Sequence, residues 1–222
     1  MATVQSIYQS ALLKFGQTPD NARFSDDYFS SINDAQNDLC TSRSWGFLRT
    51  SATVTASDST RSTALPTNFG KAYDIAGAFR ILTPAASVGG IVELMSYENW
   101  LSNEYDDGTS EGAPEFAYIL GSSIYFSPIP DVDYTTSLIY YKIPANIENT
   151  SSTITVPDVY SELLKKMIWR RLQDAGYASV QELQISDSDI ARLMNNAARD
   201  DFRRYGGMNM SLSKSSFTRS TV

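Results

Sequence analysis

Phe116-Ala117-Tyr118-Ile119-Leu120-Gly121-Ser122-Ser123-Ile124-Tyr125-Phe126-Ser127 is the stretch whose reading decides the fold class. Two short runs rich in aromatic and aliphatic residues flank a Gly-Ser pair. Glycine accepts the positive φ that a two-residue connection requires, so the stretch predicts a β-hairpin. An isolated hairpin is marginal in water, so more strands must flank it. Candidates are Thr50–Thr55, Ala72–Leu82, Ile91–Met95, Ser137–Ile143 and Thr153–Val156, each bounded by Gly, Pro, Ser or Asp turn signals. Ser96–Glu104 reads as a short helix ending before the Asp107-Gly108 turn.

Further out, on both sides, the period changes from two to 3.6. Val4, Ile7, Tyr8, Ala11, Leu12 and Phe15 share one face of a helix over residues 3–16. A second helix is expected from Asp26 to Arg43, capped by Ser25, with Asp26 and Asp27 at its positive end. A third opens at Pro157-Asp158 and stops at Gly176, with Val159, Tyr160, Leu163, Leu164, Met167, Ile168 and Leu172 as its apolar face. Ser186 caps a fourth, with Ile190, Leu193, Met194, Ala197, Phe202 and Tyr205 inward and Gly206-Gly207 beyond its end. The expected fold is therefore α+β. Residues 1–49 and 157–207 form a four-helix bundle, residues 50–156 form an inserted, mostly antiparallel β domain, and residues 208–222 form an extended C-terminal arm.

Composition narrows the function. Of 222 residues, 42% are hydrophobic, which suits a packed core rather than a disordered chain. Charge is unevenly placed. Residues 50–156 carry 4 basic and 12 acidic side chains, net −8, while residues 157–222 carry 10 and 8, net +2. An acidic middle section argues against a surface that grips phosphates there. The lone Cys40 permits no intrachain disulfide, in keeping with synthesis in a reducing cytoplasm. No apolar run is long enough to span a membrane, and no secretion signal opens the chain.

The chain has no histidine, which removes the commonest general base and metal ligand. A Ser-His-Asp or Cys-His site cannot be built, and no P-loop, CxxC or GxGxxG occurs. Asp106, Asp107 and Glu111 share a polar loop, and Asp131 and Asp133 flank another turn. Two carboxylates are the minimum for a glycosidase, but in turns such residues are mostly solvated turn formers, and EF-hand spacing is absent. No enzymatic activity, metal or cofactor is expected. Lys165, Lys166, Arg170 and Arg171 share a helix with Glu162 and Asp174, which points to a solvated or intersubunit face rather than a nucleic-acid grip.

Several elements occur in a recognisable order. Leu65-Pro66-Thr67-Asn68-Phe69 is an L-P-x-x-F element. Gly112-Ala113-Pro114-Glu115-Phe116-Ala117-Tyr118 is a G-x-P-x-x-x-Y element, and its hairpin ends in Pro128-Ile129-Pro130. Leu138-Ile139-Tyr140-Tyr141 carries a Tyr-Tyr pair, and Pro157-Asp158-Val159-Tyr160 opens the third helix. Phe24-Ser25-Asp26-Asp27 and Ile32-Asn33-Asp34-Ala35-Gln36 lie in the second helix. Over residues 3–205 this order resembles the head-to-tail adaptor proteins of short-tailed bacteriophages, the tail tubular protein A-like group. The resemblance implies a structural virion protein at the head-tail junction. It would assemble with itself as a ring, commonly dodecameric, between the portal protein and a tail tube or nozzle protein, with DNA passing through the lumen. Other virion neck, baseplate or fibre-attachment proteins, and a carbohydrate-binding or carbohydrate-degrading β module, are the alternatives.

Interface residues are expected in two places. Counted at about 100° per residue, Trp169 falls outside the apolar arc of the third helix, between Lys165 and Glu162. It is expected against a neighbouring subunit or the portal, the alternative being cover by the β domain. Within the arc lies Arg171, and on the fourth helix Asp201, so the two are expected to meet as a pair. The segment 208–222 has too few large apolar residues to form a core. Phe217 is expected to anchor it on the portal or an adjacent subunit, with Lys214 and Arg219 meeting acidic groups. The alternative is a segment folded back along its own helices.

Overall fold

A computed structural model describes residues 3–73, 77–84, 87–102, 110–178 and 186–205. The order of elements is α1 (Val4–Lys14), α2 (Ala22–Thr41), β1 (Arg49–Ala56), β2 (Ser62–Ala64), β3 (Phe69–Ala72), β4 (Phe79–Thr83), β5 (Glu93–Met95), α3 (Tyr97–Ser102), β6 (Phe116–Leu120), β7 (Ser123–Ser127), β8 (Tyr134–Lys142), α4 (Ser161–Asp174) and α5 (Asp187–Tyr205). The fold is α+β, with antiparallel-rich sheets.

Helix starts follow their capping chemistry. Thr3 and Ser6 form a reciprocal capping box on α1. The α2 helix begins earlier than expected. Asn21 accepts from the Phe24 N–H at 3.2 Å, so Ser25, Asp26 and Asp27 lie inside the helix rather than at its cap. The earlier start carries Phe24 into the core, where it is fully buried. Pro157 is likewise not helical. It precedes a 3-10 turn, Asp158–Tyr160, that leads into α4. Gly176, at φ 94°, ends that helix in a conformation other residues avoid.

Among the described residues, eight strands form two sheets. In the first, β8 lies between β1 on one side and both β3 and β4 on the other, all antiparallel. The expected single strand Ala72–Leu82 is thus two, turned near Gly77 at φ 82° and paired to successive parts of β8. The second sheet runs β2-β7-β6-β5, with β5 and β6 parallel. The hairpin joins β6 to β7. Leu120 pairs Ser123, and Gly121 supplies a φ of 61°. Alternate β8 residues Tyr134, Thr136, Leu138 and Tyr140 point inward. They meet Phe79, Ile81, Ala117, Ile124 and Phe126, so both sheets share one core.

A second core is helical. It combines Val4 to Leu48 with Ile147, Val156 and the apolar faces of α4 and α5. The expected strand Thr153–Val156 does not form, because two amides of α2 take its place. Asn33 donates to the Ile147 carbonyl and accepts from its N–H, at 2.9 and 2.8 Å. Gln36, 1% exposed, donates to the Ala145 carbonyl and accepts from the Thr155 N–H, both at 2.9 Å. The backbone groups of this returning segment are therefore satisfied without a sheet.

The expected inward face of α5 is corrected at its end. Ala197 and Asp201 are buried, while Phe202 and Tyr205 are 45% and 38% exposed. Asp201 accepts from the Gly46 N–H at 2.8 Å, and the Tyr205 Cβ sits where a Cβ on residue 46 would be. A neutral backbone donor therefore holds the buried carboxylate. The expected Arg171–Asp201 pair is absent. Arg171 turns to α2, where Asp34 and Asp38 lie one turn apart. The Asp34 contact is 3.7 Å, and Asp38 also accepts a hydrogen bond from the guanidinium.

Candidate functional site

The outer face of α4 places Trp169 half-buried on the helical core, under the Lys14 ammonium of α1, 5.0 Å from the ring centroid. Its own chain thus covers it in part, from α1 rather than from the β sheets. The indole N–H is buried and has no acceptor among the described residues. Beside Lys14 stands Leu13, 82% exposed. Lys165 and Lys166 are half-buried on the same helix, and Lys166 lies near enough to Asp189 to help hold its carboxyl below the ordinary value, behind the larger effect of the Ser186 hydrogen bond. Lys214, Phe217 and Arg219 lie outside the described residues, as does the whole segment 208–222.

Among the described residues, the carboxylates considered for chemistry are not gathered into a site. Asp106 and Asp107 lie outside the described residues. Glu111 is exposed and its backbone bridges Ile129. Asp131 and Asp133 sit on the turn before β8, where each already holds part of that turn. Asp131 accepts from the Tyr134 hydroxyl at 2.6 Å, and Asp133 accepts from the Asp58 N–H at 2.8 Å. No group of His, Cys, Asp or Glu that could hold a metal occurs among the described residues. Cys40 is 5% exposed, and burial pushes its thiol from an ordinary 9.0 up to about 12, against a smaller opposing pull from Lys142. So protonated a thiol is a poor nucleophile.

One cleft went unseen in the sequence. It has a volume of about 420 Å³ and lies where α2 meets the ends of β3 and β8. Arg43 comes from just beyond α2, Lys71 from β3 and Lys142 from β8. Gly70 keeps its floor low, since a Cβ there would lie 2.9 Å from the Tyr141 carbonyl oxygen. Ile143, 52% exposed, forms an apolar lip. None of the ion pairs among the described residues involves Arg43, Lys71 or Lys142. These residues are separated by up to about a hundred positions, so no local motif could have announced them.

A second buried polar cluster lies under α5. The Tyr160 hydroxyl and Asp201 Oδ1 are both buried without partners among the described residues. Burial, reinforced by the Asp201 and Asp200 charges, pushes the Tyr160 phenol up to about 12. Among the described residues no helix is long and apolar enough to cross a membrane. Among the described residues these surfaces present clefts and faces, and no metal-binding group is assembled on them.

Comparison with known proteins agrees with that character. No curated protein matches the chain. The sequence does match the SU10 adaptor protein family over residues 2–211, nearly its whole length. That family is one of structural phage adaptors. The chain therefore belongs to the SU10 adaptor protein family and is a structural adaptor of a bacteriophage virion.

Proposed function

We propose that this adaptor joins head to tail, assembling as a dodecameric ring between the portal protein and a tail tube or nozzle protein, with DNA passing through its lumen. The observation that carries this reading is the partition of charge. The stretch 50–156, with 4 basic and 12 acidic side chains, suits a wall that DNA slides past without adhering. In this reading the helical segments 1–49 and 157–207 form a bundle, and residues 50–156 are a domain inserted in it. The segment 208–222 is an arm that reaches the portal or an adjacent subunit through Phe217, Lys214 and Arg219. Trp169, Lys165 and Lys166 belong to the same contact surface.

Imaging of the intact particle tests the reading. A ring of this chain directly below the portal is expected. Its location at a baseplate or a fibre would overturn the proposal. Removal of residues 208–222 tests the arm. Heads should fill with DNA yet fail to retain the adaptor, and unimpaired attachment would dismiss the arm.

A further inference from the structure

We propose that the basic cleft between α2 and the end of β8 receives the Asp131-Val132-Asp133 turn of a second copy of this chain. The inference deepens the reading of the chain as a self-assembling adaptor and rests on it.

The cleft and the turn are complementary in two independent respects. The cleft carries Arg43, Lys71 and Lys142, which enter no ion pair among the described residues, around the exposed apolar lip Ile143. The turn offers two exposed carboxylates around Val132, itself 44% exposed. Asp58, bonded through its N–H to Asp133, adds a third acid at the same place. Charge would meet charge, and an apolar side chain would meet an apolar lip.

Geometry assigns this contact to a second copy. The turn precedes Tyr134, the first residue of β8, and the cleft lies at Lys142, its last. Nine extended residues at roughly 3.3 Å each separate the two ends by about 30 Å. No chain can therefore fill its own cleft. The two surfaces are different patches of one molecule, so the contact is head-to-tail. Repeated around an axis, such a contact closes a ring, and otherwise it grows a filament. Nucleic acid is the less favoured occupant. Lys71 and Lys142 belong to the section 50–156, whose net charge of −8 repels a duplex, and the apolar lip has no counterpart on a phosphate chain.

Cross-linking in assembled particles provides one test. A Val132→Cys/Ile143→Cys chain treated with a short bismaleimide should give a ladder of dimers, trimers and longer multimers on a denaturing gel. Neither single variant should do so. Monomer alone, in particles that still contain the chain, overturns the contact and leaves the adaptor reading standing. Charge reversal provides a second test that does not depend on cysteines. Lys142→Glu and Asp133→Lys should each lower incorporation into particles by at least about ten-fold, and the two combined in one chain should regain most of it. Normal incorporation of both single variants, or no recovery in the combination, overturns the proposal. DNA binding by the wild-type chain that disappears in Lys71→Glu/Lys142→Glu would also overturn it, in favour of nucleic acid. Absence of the chain from particles altogether would instead count against the adaptor reading itself.

Discussion

The two cores of this molecule are drawn from the sequence in different ways. The β core comes from one uninterrupted stretch, Val54 to Tyr140. The helical core combines two stretches, Val4 to Leu48 and Ile147 to Ala197, with the whole β section between them. The first can gather from near neighbours. The second requires two distant pieces to meet, and β1 and β8 bring them together. Their antiparallel ladder pairs Arg49 with Tyr141, delivering the end of the first helical stretch beside the start of the second. The comparison teaches that β8 is a clasp for the helices as well as the centre of a sheet.

Breaking the clasp should have the largest effect. Leu138 is fully buried at the middle of β8. Leu138→Ala should cost about 2–5 kcal/mol. Single-tryptophan variants would follow the two regions separately, with Trp45 in the helical core and Trp100 against Tyr118 at 4.4 Å in the β part. Both reporters should unfold at lower denaturant. A shift confined to Trp100 would show that the helical core closes without the clasp.

The helical core should also carry most of the alkaline sensitivity. An unfolded Cys40 loses its proton near 9.0, whereas the folded thiol keeps it until about 12. The folded pKa is raised, so the stabilisation is complete below pH 9 and falls as pH rises toward 12. Tyr28, raised chiefly by burial, and Tyr160 act in the same direction. Unfolding free energies from urea titrations at pH 8 and pH 11 should differ by roughly 1–3 kcal/mol, with the loss reported by Trp45. At pH 8 the folded thiol should resist alkylation that the unfolded chain undergoes.

A smaller effect is expected at the seat of α5. Gly46→Ala would place a Cβ 2.2 Å from the Tyr205 Cβ, the root of a side chain that cannot swing away. The helix end must shift, loosening the Asp201 bond to residue 46, at about 1–3 kcal/mol. Denaturation should show the loss in Trp45 and leave Trp100 nearly unmoved. The smallest effect belongs to Arg171→Leu. Arg171 and Asp38 are 33% and 60% exposed, and such pairs contribute about 1 kcal/mol or less. A loss of several kcal/mol in unfolding free energy would mean that this pair, rather than packing, fixes α4 on α2.

What the sequence disclosed and what it hid divide along physical lines. The hairpin was readable because Gly121 and the runs beside it make a local code. The buried face of α4 was readable because 3.6-residue periodicity reports which side meets a core. Periodicity does not report which neighbour waits there. Arg171 lies at the edge of the apolar arc because α2 offers Asp34 and Asp38, and Asp201 lies inside it because Gly46 offers an N–H. The split of Ala72–Leu82 depended on both pieces finding the same edge of β8, a pairing across about sixty residues. The cleft has contributions from α2, β3 and β8, so it exists only once the chain has folded.

The amide clamps of α2 have a mechanical consequence. Asn33 and Gln36 stand three residues apart and hold the segment around Ala145 to Thr155 by four hydrogen bonds. A force drawing the β sheets away from the helices would reach this segment through the end of β8, at Lys142. The bond at Ala145 would take the load first and those at Ile147 behind it. Tension on the sheets is therefore handed to side chains of α2 within three residues of the last strand.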